Sequence, residues 1–288
     1  MFRDVRAGLL AAMTIVVAAG CGEAGRHSAA VGREGEAFKV SEVASHRGPT
    51  VAQELARLPA PPRGRRWRLA WQDEFDGKSL DAAKWEVPPD APRRGAYWVR
   101  RAIELDGHGC LALRTFEEDG KYYSGCVRTR GRFEHAFGYY VARIRLQRQP
   151  GHWTAFWLMG SSVHQVGDEG RDGTEIDIME KAWLDARVQH ALHWDGYGEA
   201  LRSAVEVVEV PHVMEGFHTF ALWWTPEEYV FYVDGRETWR TRAGGVCQVP
   251  LFIKLSSEIG EWAGDIRQAD LPDEFLVDYV RVYDLVNQ

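Results

Sequence analysis

From Trp67 to the end of the chain, apolar and polar residues alternate in short runs broken by turn residues, and hardly any stretch keeps a 3.6-residue period. The clearest runs are Cys110 to Thr115, Tyr139 to Leu146, Glu175 to Glu180, Arg187 to Trp194, Phe217 to Trp224, Tyr229 to Val233, Leu251 to Ser256 and Leu276 to Tyr283. Successive side chains of a strand point to opposite faces, so such a run offers one face to a core. Asp119-Gly120 and Asp234-Gly235 lie between runs and suit tight hairpins, which need positive φ. Roughly ten or more short strands predict an all-β sandwich of antiparallel sheets. No repeat of fixed period points to a propeller or solenoid.

The first 66 residues follow another pattern. A cationic start (Arg3, Arg6) leads into an apolar run from Ala7 to Gly20, followed by Cys21. That run is short of the roughly 20 residues a membrane span needs, and it reads as an export signal over residues 1–20. Ala18, Ala19 and Gly20 before Cys21 resemble a bacterial lipobox, which predicts lipidation at Cys21 and a protein anchored to a bacterial membrane. The alternative is plain secretion. Residues 21–66, rich in Gly, Ala, Pro and Arg, read as a tether in which Val51 to Leu58 offer two helical turns, and 67–288 as the folded domain.

Composition sharpens this division. All 12 Trp and all 10 Tyr lie at or beyond Trp67. Residues 1–66 carry 10 Lys and Arg against 6 Asp and Glu, whereas the remainder carries 25 against 36. An acidic domain repels phosphate backbones, which argues against nucleic-acid binding, and its field mildly disfavours strongly anionic substrates. Cys110 and Cys126 flank the Glu117-Glu118-Asp119-Gly120 turn and are placed to face each other across a hairpin, compatible with one disulfide after export. Cys247 is left as a buried thiol, and no CxxC pair suggests structural zinc.

The candidate chemistry lies in Glu175-Ile176-Asp177-Ile178-Met179-Glu180. Period two puts Glu175 and Asp177 on one face, but strict alternation would send Glu180 into the core. A β-bulge near Ile178-Met179 returns it to the acidic face. Three carboxylates on one face raise one another's pKa, so one holds a proton near neutral pH, and acid and nucleophile can be separate groups. Trp153 and Trp157 share a face of their run, suited to stacking on sugar rings or to core packing.

This hexapeptide resembles the E-x-D-x-x-E signature of glycoside hydrolase family 16, in the bulged form of laminarinases, agarases and carrageenases. Similar motifs extend from about Trp67 to Asp284, among them Trp71 to Gly77, Thr129 to Phe133, Gly138 to Arg145, Trp153 to Trp157, Phe217 to Thr225, Trp262 to Asp265 and Val277 to Tyr283. The resemblance implies a concanavalin A-like jelly-roll sandwich with a concave substrate cleft. It makes Glu175 the nucleophile, Asp177 its support and Glu180 the general acid/base of a retaining glycosidase. It also places Trp153, Trp262 and His190 at sugar-facing positions; Trp157, and Trp194 on the face of His190, are further stacking candidates, with His193 pointing away, and Arg128 suits either hydroxyl binding or a surface ion pair. No cofactor is required; some members hold a structural calcium, for which Glu74 and Asp278 occupy the corresponding motifs. Pro88 to Val99 is short and, with Arg93, Arg94, Arg100 and Arg101, basic. It either opens one end of the cleft or creates an anion-tolerant subsite.

The expectation is therefore a monomeric endo-hydrolase of a polysaccharide, most simply a β-1,3- or β-1,3(1,4)-glucan. Two alternatives stand beside it: an agar- or porphyran-type galactan as substrate, and a non-catalytic glycan-binding protein.

Overall fold

The computed structural model describes residues 47–288; the signal segment 1–20, Cys21 and the tether as far as residue 46 lie outside the described residues. The strands in chain order are β1 (Arg65–Asp73), β2 (Ala91–Arg93), β3 (Ala96–Trp98), β4 (Ile103–Leu105), β5 (Leu111–Glu118), β6 (Lys121–Ser124), β7 (Cys126–Arg128), β8 (Glu134–His135) and β9 (Gly138–Arg145). They continue with β10 (His152–Met159), β11 (Thr174–Lys181), β12 (Arg187–Trp194), β13 (Arg202–Glu209), β14 (His218–Trp224), β15 (Tyr229–Val233), β16 (Arg236–Thr241), β17 (Leu251–Ile259) and β18 (Asp273–Asn287).

These form two sheets. One has eleven strands, ordered β16-β15-β14-β9-β18-β5-β6-β3-β2, with β1 added on β18 and β4 on β5; the other has seven, ordered β13-β12-β11-β10-β17-β7, with β8 on β17. Chain neighbours are often far apart in the sheets, as β17 is between β10 and β7. The result is a jelly-roll sandwich.

Period-two alternation is what closes it. Tyr140, Ala142 and Ile144 of β9, with Phe220, Leu222 and Trp224 of β14, meet Phe156 and Leu158 of β10 and Ile253 and Leu255 of β17, all within one buried core. Each such side chain contributes about 1.5–3 kcal/mol by leaving water. The intervening residues of β9, Tyr139 and Val141, face outward into a second cluster with Trp67, Tyr232, Tyr279 and Tyr283.

That second cluster changes the reading of the tether. Residues 47–66, assigned to the linker from composition, pack on the outer face of the eleven-stranded sheet. Helix α1 (Val51–Leu55) starts at a capping box between Thr50 and Gln53 and turns Val51, Leu55 and Leu58 onto the cluster. Buried Glu54 accepts a hydrogen bond from Tyr279 (2.7 Å), and Trp67 Nε1 donates to Pro59 O (2.8 Å). The folded unit thus begins well before Trp67.

Two further expectations are corrected in this region. Cys110 and Cys126 are free and buried. The β5–β6 hairpin pairs Phe116 with Tyr123, but the chain then leaves for the other sheet, where β7 pairs with β17, so the two thiols flank different layers. Glu74 and Asp278 do not fit a calcium site. Arg281 grips both oxygens of Glu74 (2.8 Å each), while Asp278 accepts from Arg143 (2.7 Å) and Gly48 N (3.0 Å). Guanidinium groups stand where a hard cation would need free oxygens.

Candidate active site

The carboxylates sit on β11, in the middle of the seven-stranded sheet. Towards β10, Ala155 pairs with Glu180 and Phe156 with Met179, but Trp157 pairs with Asp177, so Ile178 has no partner. Towards β12, Asp177 pairs with Ala191 and Glu180 with Gln189. This is the expected bulge: Ile176, Ile178 and Met179 are fully buried in the core, and Glu175, Asp177 and Glu180 line a cleft of about 440 Å³ on the sheet's other face.

His190 lies opposite the bulge, and its predicted place in the cleft is wrong. It is fully buried on the core side, with Nδ1 donating to the carbonyl of Ile178 (2.7 Å) and Nε2 accepting from Thr238 Oγ1 of the other sheet (2.9 Å). Burial lowers its pKa to about 4, so it is neutral and ties the bulge to the opposite layer. Trp194 shares this face: it packs against the core, beneath Gly244, and is not a stacking platform. The cleft histidine is instead His193, which pairs across from Glu175. Residues directly opposite on neighbouring strands share a face. His193 Nε2 lies 3.4 Å from Asp177 Oδ2, and burial lowers its pKa.

Each carboxyl has its own surroundings. Glu180 is 4% exposed. Burial raises its pKa to about 7, helped by the charges of Glu175 and Glu258 and opposed by hydrogen bonds from Gln189 Nε2 and Trp153 Nε1, each 2.7 Å. It can therefore give and take a proton near neutral pH. Burial, followed by the charges of Glu180 and Glu175, holds Asp177 well above the usual carboxylate range. Glu175 is half-buried and accepts a hydrogen bond from the hydroxyl of Tyr197. Burial and the charge of Glu175 push that phenol upward, which keeps it a donor. Donor atoms of Glu175, Asp177 and His193 lie within 4.8 Å of one another. A divalent cation would find ligands there and would compete with the sugar for them.

Around the carboxylates the aromatic residues divide. Trp153, held by Glu180, meets Trp262 edge to face at 5.0 Å, and Trp262 meets Trp183 likewise. Trp157 lines the cleft, with its Nε1 on Ser256 Oγ (3.1 Å). Arg128 does not line this cleft: it makes a two-pronged ion pair with Glu86, 2.8 Å at each contact. Gln189, Tyr197, Lys254, Ser256 and Glu258 were not singled out from the sequence, and His193 was assigned to the wrong face. The polar set Lys254, Ser256, Glu258 at period two on β17 was a readable signal.

An all-β sandwich with three unequal carboxyls on one cleft wall, flanked by indoles, defines a glycoside hydrolase. The Glycosyl hydrolases family 16 model matches residues 96–281, and the chain belongs to that family. It is 29% identical over 243 residues to a beta-glucanase of Rhodothermus marinus, covering 75% of this chain and 85% of the relative. To a keratan-sulfate endo-1,4-beta-galactosidase of Sphingobacterium multivorum it is 27% identical over 238 residues, covering 76% of this chain and 56% of that one. The solved laminarinase catalytic domain of Thermotoga maritima superposes with a TM-score of 0.65 at 27% identity, over 77% of this chain and 99% of that structure.

Proposed function

We propose that the chain is a retaining, endo-acting hydrolase of internal β-glycosidic bonds in a β-glucan or β-galactan. The observation that carries the assignment is the difference between Glu175, half-buried and hydrogen-bonded, and Glu180, buried with a pKa near 7. In the first step a Glu175 oxygen bonds to the anomeric carbon, the bond to the leaving sugar oxygen breaks, and that oxygen takes the proton of Glu180. Tyr197 donates a hydrogen bond to the nucleophile, and Asp177 lies beside it. In the second step Glu180, now ionised, takes a proton from water. The water oxygen bonds to the anomeric carbon and Glu175 is released. Two displacements retain the anomeric configuration.

Similarity to a beta-glucanase and a laminarinase supports the glucan reading, and likeness to a galactosidase supports the galactan one. Basic residues in the cleft also favour the latter. The lipobox-like segment before Cys21 supports export as an anchored lipoprotein, with the polysaccharide met outside the cytoplasm.

A chain starting at Arg47 is expected to release reducing ends from at least one of laminarin, lichenan, agarose, porphyran and carrageenan, with retained anomers by NMR. Glu175→Gln is expected to lose this activity by orders of magnitude. Inverted product, or full activity in Glu175→Gln, overturns the mechanism.

A further inference from the structure

The cleft has a charge asymmetry that the hydrolytic chemistry does not use. On the β12–β13 side, the cleft face continues through Ala191 opposite Val205 and Gln189 opposite Val207, and the two valines are 47% and 43% exposed. On the β17 side stand three cations, Lys254, Arg93 and Arg94, all lining the cleft.

Lys254 is opposite Trp157 in the sheet and 5% exposed. Its Nζ lies 3.5 Å from the Trp157 ring centre and 5.3 Å from that of Trp98, and it makes no hydrogen bond or ion pair among the described residues. A buried ammonium is costly: burial lowers the pKa of Lys254, and the aromatic faces with the charges of Glu175 and Glu258 offset only part of that. Arg93 and Arg94 share a single carboxylate, that of buried Glu258, at 2.8 and 2.5 Å, so one positive charge remains in excess. Both guanidiniums are also held on indoles, Arg93 over Trp98 at 4.7 Å and Arg94 over Trp153 at 4.2 Å. Cations fixed in this way bind an anion with little further ordering. The chain's net charge of −7 repels polyanions at long range. The cluster of cations on the β17 side of the cleft is thus a local feature.

We propose that Lys254, Arg93 and Arg94 form an anion-binding subsite, which takes a sulfate ester or a carboxylate on a sugar lying on the β17 side of the catalytic carboxylates. The subsite rests on the glycosidase reading of the cleft and narrows its substrate to anionic polysaccharides.

The test uses full-length Glu175→Gln, which binds without turnover, and follows tryptophan fluorescence. It is titrated with one oligosaccharide backbone in three forms: neutral, sulfated and uronate-bearing. At low salt at least one charged form is expected to bind about tenfold tighter than the neutral one, about 1.4 kcal/mol, with the preference shrinking as salt rises. Adding Lys254→Met is expected to reduce the preference to about threefold or less. If that variant melts early, Arg93→Gln carries the same expectation. Whichever charged form is preferred identifies the anion. Equal binding of all three forms, or a preference that survives both substitutions, overturns the subsite. Reducing-end release by the unsubstituted chain keeps the two readings apart. Cleavage of neutral polymers with no charged preference removes only the subsite, whereas no cleavage of any polymer removes the hydrolase reading.

Discussion

Gln189→Leu tests how the cleft sets the proton affinity of Glu180. The carboxylate accepts one hydrogen bond at each oxygen, from Trp153 and from Gln189, both 2.7 Å. The substitution removes the second and leaves an apolar side chain that admits no replacement water. A hydrogen bond to a charged acceptor is worth roughly 1.5–3 kcal/mol, against about 1 kcal/mol for a neutral one. The ionised form therefore loses about 1–2 kcal/mol more than the protonated form, which corresponds to a pKa rise of about one unit. Glu180 must be protonated for the first displacement, so the alkaline limb of kcat/KM, near pH 7 in the parent, is expected near pH 8 in the variant. The assay is the initial rate of reducing-end release across the pH range on the polymer the panel identifies, with melting temperature as the control for folding. An alkaline limb that stays put or moves toward acid in a folded variant refutes the account of Glu180.

Three further outcomes follow from the structure. The pKa of Glu180 in the fold, about 7, lies above the ordinary glutamate value of 4.5, so its contribution to stability is intact below about pH 4.5 and is lost as pH rises through about 7. Glu180→Gln is therefore expected to gain more in melting temperature over the parent at pH 8 than at pH 5, a difference on the order of 3 kcal/mol; equal shifts at both pH values contradict this. His190→Leu leaves the carbonyl of Ile178 without its donor, at about 1–3 kcal/mol. It should lower both melting temperature and activity although His190 is outside the cleft, and unchanged activity would show that the bulge does not depend on it. Chains starting at Arg47 and at Trp67 compare the docked segment directly: losing Leu58, Glu54 and the Pro49 contact to Arg281 is expected to cost several kcal/mol, or roughly 5–10 °C, and coincident melting curves would refute the docking.

The strands and the acidic cluster were legible because both depend on local alternation. The bulge was legible too, since Glu180 breaks parity with Asp177. What alternation could not supply was register. Five residues separate β11 from β12, and their conformation, not their composition, decides that His193 faces Glu175 while His190 faces the core. The same limit misplaced Trp194. For Arg128 the sequence left hydroxyl binding and an ion pair side by side, and Glu86, about 40 residues away, selects the second by occupying its guanidinium. Residues 47–66 looked like linker by composition. Yet Val51, Leu55 and Leu58 recur at helical spacing, and that signal outweighed the surrounding Pro and Arg.

The bulge in β11 closes within itself. Between Asp177 and Glu180 the strand takes three residue steps where each neighbour takes two, Trp157 to Ala155 and Ala191 to Gln189, so one extra residue is absorbed against both. Deleting either Ile178 or Met179 would thus displace no neighbouring strand. It would leave Glu175, Asp177 and Glu180 on one face of a regular strand, at the cost of one core side chain. The pitch between nucleophile and acid is consequently an adjustable part, open to a one-codon insertion or deletion, while the sandwich around it stays unchanged. For anyone re-engineering this cleft, indels in β11 give access to reaction geometries that point substitutions do not reach.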